Sequence, residues 1–492
     1  MRLIKRIDII LVTVLVLVAT LIRFHELGRL SFWYDELFTT GMLKPDLKFL
    51  FHLIWKSDIN MILYDVIINI WYKWFPNPTE SALRVPSAIF SVVSIPVVYL
   101  LAKITSPKKE MAIKAGIVAA LLVTLNPFHI YFAQQLRSYS LLFLLSTLST
   151  VLFIKAIKSK TSINSWLIYS LVSAAALYSH FIVALLLATH FFFIIYLIIE
   201  KKVLLKIKWV FLAYFSIFCL SAPIVYAAYV WGYYQIAWIP PLNSNQIFDV
   251  LIDLAGMRKE FLPLLYLLAL PLSWLVLVHK FYDNHDFRWK FYLLQSCTLV
   301  PFFALLLFSI YRPMFLSRYL FFIIPYFTVI IAHGITYFIE KKNLLKNVLA
   351  GLVLFLFTWQ STLSIQNYFS SLYNEDYRST AKFMSEMCSK KLILYYPEYI
   401  ERFIPFYDEG LFSQMVGWQT LLEQNLTASE VSSNLPSDGD GACFMTGNLF
   451  NPVTEKQQIE ISLTIEALKT RYPVKLYKNF TGGQTVYIFE KK

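Results

Sequence analysis

The sequence predicts a polytopic α-helical membrane protein of about eleven transmembrane helices, followed by a small C-terminal extracytoplasmic α/β domain. Two observations predict the membrane part. Apolar residues make up 58% of the 492 residues and charged residues only 15%, whereas a soluble domain is about 45–50% apolar and about 25% charged. Apolar runs long enough to cross about 30 Å of hydrocarbon recur through the first 364 residues, consistent with a mean hydropathy of +0.57. A third observation predicts the tail, where Asp, Glu, Ser, Asn and Gly become common and the apolar runs shorten. A disordered chain, a collagen-like chain and an ordinary cytosolic enzyme are thereby excluded.

The first run, Ile9 to Ile22, follows the flank MRLIKR and has no small-residue cleavage site behind it, so it is an uncleaved anchor. A long loop spans 24–83. Within it, Met61 to Phe75 is aromatic but short, and Asp65 and Lys73 interrupt it, which suits a helix lying in the interface. Further spans are expected near 84–102, 112–128, 139–157, 164–178, 181–199, 209–231, 261–279, 291–310, 319–339 and 344–363. Alternate turns are short and basic, among them Lys103 to Lys114, Lys155 to Lys160, Lys201 to Lys208 and Lys341 to Lys346. Positive charge marks the cytoplasmic side. The N-terminus is therefore expected in the cytoplasm, with the loops 24–83 and 232–260 on the outer face of the inner (plasma) membrane. An odd number of spans leaves the tail outside as well.

This topology accounts for the net charge of +13. Residues 1–364 hold 32 Lys and Arg against 16 Asp and Glu, and residues 365–492 hold 12 against 15. Nucleic-acid binding would gather the cations on one polar face, whereas here they fall between apolar runs, so no nucleic acid is expected as a partner. The domains are thus 1–364, transmembrane, and 365–492, soluble. In the tail, KLILYYP and QTVYIFE alternate like strands, and SEMCSKK and EISLTIEALKT are helix-like. Four cysteines without a CxxC pair exclude zinc-ribbon and thioredoxin-type readings. An outer location permits a disulfide between Cys388 and Cys443.

The chemistry is expected on the outer loops. SFWYDELFTT places Asp35 and Glu36 after Phe32, Trp33 and Tyr34. A carboxylate beside aromatic rings at a membrane surface loses solvent and becomes a better proton acceptor. The competing reading is a solvated loop flanked by interfacial aromatic residues. Arg84, Arg137 and Arg318, the last beside Tyr319, stand at outer span ends. A guanidinium there grips a phosphate through paired hydrogen bonds, or simply snorkels to lipid head groups. His180, in LYSHFIV, is a candidate substrate-binding group. A divalent metal is compatible with the sequence and not required by it. No nucleotide-binding signature such as GxGxxG is present.

In order along the chain, WYDE, MILYDVIINIWYKWF, ESALRVPSAIF, NPFHIYFAQQLRSYS, YSHF and RYLFFIIP make the sequence resemble the GT-C glycosyltransferases. More narrowly, it resembles the bacterial branch related to protein O-mannosyltransferases, family 39, and aminoarabinose transferases, family 83-like. The resemblance covers residues 1–340, most densely 30–140. It implies a GT-C fold, a polyprenyl-phosphate sugar donor and an acceptor that is a lipid, a glycan or a protein. It implies Asp35 as the catalytic base of an inverting hexosyl- or pentosyltransferase, with Glu36 beside it. Arg137, Tyr139, Arg318 and Tyr319 match the donor-phosphate positions. Where relatives carry Pro-Pro-Leu-Tyr, this chain has Asn60-Met61-Ile62-Leu63-Tyr64, and Tyr64 joins Arg84 and His180 as candidate substrate-binding residues. The alternative function is a transporter or flippase for a lipid-linked sugar, which would place charges or broken helices near the bilayer midplane.

Overall fold

A computed structural model describes residues 2–43, 59–75, 79–159, 162–200, 207–236, 239, 241–257, 261–339, 343–371, 375–396, 400–417, 441–447, 455–471, 474–481 and 483–490. By contact the chain divides into two compact units. The first comprises Met1–Leu27, Asp46–Asn77 and Ala82–Ser370, and the second Gly28–Pro45, Pro78–Ser81 and Ser371–Lys492.

The first unit is helical. Among the described residues, nine helices are long and apolar enough to cross a membrane, or ten when the bent pair Lys109–Thr124 and Pro127–Ala133 counts as one span. The helix Ile163–Ser179 has 17 residues, at the short end of what a bilayer needs. With the bent pair and this short helix, each expected span has a helical counterpart. The interfacial segment is a helix, Ile62–Trp74. Large apolar side chains such as Leu21, Phe211, Leu268 and Phe303 are exposed along these helices, which water would penalise and hydrocarbon accepts.

The sequence expectation of one helix near 112–128 gives way to a break of 61°. Its local cause is Asn126-Pro127. Pro127 has no N–H to continue the preceding helix and suits the first turn of the next. The Asn126 side chain caps that turn by accepting the His129 amide, 2.9 Å away. The carbonyls freed at the break are taken up by Arg23, wholly buried in the first span. Its guanidinium donates to the Thr124 carbonyl at 3.0 Å, the Val123 carbonyl at 3.2 Å and Ser91 Oγ at 2.8 Å. It also donates to His129 Nδ1 at 2.9 Å. A guanidinium only donates, so the His129 proton sits on Nε2, 3.2 Å from Ser94 Oγ. A buried cation is thus satisfied without a carboxylate, by helix-end carbonyls and their dipole.

Close helix packing is set by small residues. A Cβ placed on Gly334 would lie 2.1 Å from Ser273 Oγ and 2.8 Å from the Ser273 Cα. Only a glycine permits that approach of Ile324–Phe338 to Leu262–Phe281.

The second unit contains a five-stranded sheet: β1 (Leu392–Tyr396), β2 (Met415–Gly417), β3 (Gly441–Thr446), β4 (Val474–Asn479) and β5 (Thr485–Glu490). The spatial order is β2-β1-β3-β5-β4. β1 runs parallel to β2 and β3, and β5 antiparallel to β3 and β4. Leu394, Tyr396, Phe444, Leu468 and Phe489 form its core. Gly441 has φ +134, and a Cβ there would meet the Phe489 carbonyl oxygen at 2.0 Å, so this strand has to begin with glycine. A disulfide joins Cys388, which follows the helix Tyr377–Met387, to Cys443 on β3. Of the four tail segments read from the sequence, KLILYYP and QTVYIFE are β1 and β5, and EISLTIEALKT lies in the helix Glu455–Arg471. SEMCSKK is only the end of a helix, which stops at Met387.

Candidate active site

The acidic pair does not stay with the membrane helices that flank it in sequence. Residues 28–43 and 79–81, expected as parts of the loop 24–83 in the transmembrane domain, pack in the compact unit of the tail. Aromatic burial explains this. Phe32 meets Phe406 edge-on at 5.4 Å and Tyr34 meets Phe403 at 5.1 Å, so rings expected at the lipid surface fill a protein core. Hydrogen bonds fix the segment. Tyr407 Oη lies 3.1 Å from Ser31 Oγ and accepts the Phe32 amide at 2.9 Å. Arg29 donates to the Ser371 carbonyl at 2.7 Å. Arg378 donates through its backbone to Ser31 Oγ, through Nε to Glu80 at 2.8 Å and through a terminal nitrogen to the Gly28 carbonyl at 3.0 Å.

These ties present a short helix, Tyr34–Thr40. Its two carboxylates differ. Glu36 is buried, and its Oε2 accepts the Trp33 amide at 3.3 Å, a reach back that braces the first turn. Asp35 is half-exposed. Glu375 accepts the Tyr34 amide at 2.9 Å, and burial together with the neighbouring Asp35 charge pushes its carboxyl up to about 7. Sequence reasoning missed Glu375 and Arg378. The available signal was NEDYRS, an acidic pair opening a helix just past the last span, where Asp376 caps the Ser379 amide at 3.0 Å.

In the first unit the fold brings together residues far apart in sequence. The two most buried spans, Tyr139–Lys158 and Ser317–Phe338, both begin at expected phosphate-binding residues. His180 stands between them. Its ring centre lies 5.9 Å from that of Tyr139 and 5.2 Å from that of Tyr319, and its Nδ1 accepts the Ile182 amide at 3.2 Å. Burial, with the charges of Arg137 and Arg318, drives the imidazole down to about 3, so it is neutral at physiological pH. The Arg318 guanidinium lies 5.8 Å from the Tyr319 ring centre. Tyr64 Oη is 2.6 Å from Ser87 Oγ, and Ser87 in turn donates to the Arg137 carbonyl at 3.2 Å. Arg84 is buried and donates to the Leu27 carbonyl at 3.1 Å, which ties the second span to the end of the first. Among the described residues no group of three His, Cys, Asp or Glu side chains could hold a metal ion.

The fold has known counterparts. Residues 61–226 match the family described as dolichyl-phosphate-mannose-protein mannosyltransferase. ArnT from Cupriavidus metallidurans in the apo state is similar with a TM-score of 0.60 at 13% identity, covering 97% of each chain. The fold is that of the GT-C glycosyltransferases. ArnT bound to undecaprenyl phosphate has a TM-score of 0.58 at 12% identity, again with 97% of each chain covered. The oligosaccharyltransferase AglB from Archaeoglobus fulgidus, in complex with an inhibitory peptide and a dolichol-phosphate, gives 0.59 at 10% identity, over 99% of this chain and 74% of that one. No curated protein sequence matches the chain. The protein is a multi-pass membrane protein that resembles the mannosyltransferases and ArnT.

Proposed function

We propose that the protein is an inverting glycosyltransferase that moves a sugar from a polyprenyl-phosphate donor to a lipid, glycan or protein acceptor on the outer face of the plasma membrane. One observation carries the reading. Arg137 and Arg318, 181 residues apart in sequence, both act on His180, in a fold shared with an ArnT structure bound to undecaprenyl phosphate. Two guanidinium groups beside a neutral imidazole favour an anionic oxygen cluster such as a phosphate. Tyr139 and Tyr319 border the same group. The N-terminus lies in the cytoplasm on the charge distribution, and the tail lies outside, an oxidising location that suits Cys388–Cys443. The reading divides the chain into a membrane part, 1–364, and a tail, 365–492, with the acidic helix of the first part packing in the compact unit of the tail.

The step is a displacement at the anomeric carbon. The acceptor oxygen or nitrogen bonds to that carbon as the bond to the phosphate oxygen breaks, and the lipid phosphate leaves with the electron pair. Asp35 takes the acceptor proton, a contribution of about 10²- to 10⁴-fold for a positioned base. Glu36 holds the turn on which Asp35 stands. Arg137 and Arg318 stabilise charge gathering on the leaving phosphate, and Tyr64, Arg84 and His180 are the remaining substrate-binding residues of the reading.

The test is Asp35→Asn in proteoliposomes, with polyprenyl-phosphate sugars extracted from radiolabelled native membranes. Sugar release is expected to vanish while donor lipid still binds. Turnover at the wild-type rate would remove Asp35 as the base. Movement of intact donor across the bilayer, with no bond cleaved, would favour the flippase.

A further inference from the structure

We infer that Glu375, contributed by the tail, is a positioning residue for Asp35, holding the first turn of the acidic helix through the Tyr34 amide with its carboxylate beside the Asp35 side chain. The inference rests on the reading of Asp35 as the base.

The geometry around Glu375 is tightly constrained. Its Oε2 accepts the Tyr34 N–H at 2.9 Å across 341 residues of sequence. The next residue, Asp376, donates its amide to the Thr481 carbonyl at 2.9 Å and caps Ser379. Two residues further on, Arg378 is held by Ser31, Glu80 and Gly28. The tail thus grips the segment 28–34 at several points around Glu375, and Glu375 is the carboxylate that reaches the acidic helix itself. The helix register decides where Asp35 points, so a lost contact at Tyr34 would displace the base, and misplacement by about 1 Å costs on the order of a hundredfold in rate.

Glu375 also has the electrostatic setting of a partner to Asp35. The groups facing it are the Tyr34 amide and the Tyr377 side chain, which favour its charge, and Asp35, which opposes it. The nearby charges of Asp376 and Arg378 are engaged with Ser379 and with Glu80. Burial and the Asp35 charge raise the Glu375 carboxyl to about 7. Below that pH Glu375 carries a proton. As pH rises through 7, Glu375 ionises. Its bond to the Tyr34 amide becomes charge-assisted, which holds the first turn of the acidic helix more firmly. The transfer rate therefore rises through neutral pH because of a residue that does not touch the reacting atoms.

The experiment compares wild type, Glu375→Gln, Glu375→Asp and Asp35→Asn as full-length protein in proteoliposomes with the extracted radiolabelled donor lipids. Wild type is expected to show an ascending limb in kcat/KM with an inflection near pH 7. Glu375→Gln is expected to lose that inflection and to fall on the order of ten- to a hundredfold at pH 8, with donor binding unchanged. Glu375→Asp is expected to keep an inflection and recover part of the rate. Hydrogen exchange at the Tyr34 amide, which needs no donor, is expected to quicken in Glu375→Ala and to stay slow in Glu375→Gln. An inflection that survives in Glu375→Gln, equal profiles for the Gln and Asp variants, or an unchanged Tyr34 exchange rate in Glu375→Ala would each overturn the inference. An active Asp35→Asn would overturn the reading of the base, and with it this inference. An inactive Asp35→Asn beside an unaltered Glu375→Gln profile would overturn the inference alone.

Discussion

Replacing Cys388 and Cys443 together by alanine tests how much of the tail unit depends on its disulfide. The bond closes a loop across 55 residues. For a loop of that length, chain-entropy arguments give about 4 kcal/mol of stabilisation at 25 °C. Both positions are fully buried, so alanine introduces no buried polar group to confuse the result. A unit of this size loses roughly 2 kcal/mol of stability per molar urea, which converts the loss to a midpoint lower by about 2 M. Pulse proteolysis of the full-length protein in nanodiscs across a urea series would follow the tail fragments separately from the membrane helices. Sugar release in the same series should fail at the same lowered midpoint, since the unit that unfolds includes Asp35. A midpoint within about 0.3 M of wild type would refute the stability argument. Turnover that outlasts proteolysis of the tail would refute the place given to the acidic helix.

Other substitutions probe the membrane unit. Gly334→Ala forces a Cβ against Ser273 and should cost about 1–3 kcal/mol, read as a lower unfolding temperature in detergent. Adding Ser273→Gly should restore part of the loss, because the two positions are in contact. Arg23→Met leaves the Val123 and Thr124 carbonyls without their donor and should cost about 2–4 kcal/mol. An unchanged unfolding temperature would remove Arg23 as the cap of that break. Arg137→Ala should weaken donor binding, with acceptor binding unaffected. A loss confined to the acceptor would reassign the residue.

The spans were legible because a bilayer demands long apolar runs, and such runs are local facts of sequence. The strands β1 and β5 were legible for the same reason, through alternation. The break at Asn126-Pro127 was written in the sequence but hidden by its apolar surroundings, since a proline in a hydrophobic run fits either a kink or an end. The expected outer location permitted the cysteine pair without requiring it. What could not be read was partnership. Phe32 and Tyr34 near a span end fit an interfacial belt as well as a protein core, and only the fold shows Phe403 and Phe406 against them. Glu375 is one of 31 acidic residues, and nothing local distinguishes it. The expected phosphate residues were legible as types at span ends, while the convergence of Arg137 and Arg318 on His180 needed the three-dimensional arrangement.

The tie between Tyr34 and Glu375 also has a consequence for biosynthesis. The acidic helix leaves the ribosome well before Glu375, which follows Tyr34 by 341 positions. At about 5–20 residues per second, the helix waits roughly 20 to 70 s for its partners. A truncated product that inserted its anchors correctly would still lack a seated Asp35. Synthesis of the residues around Glu375, rather than arrival of the first spans in the membrane, would then be the event that seats the acidic helix.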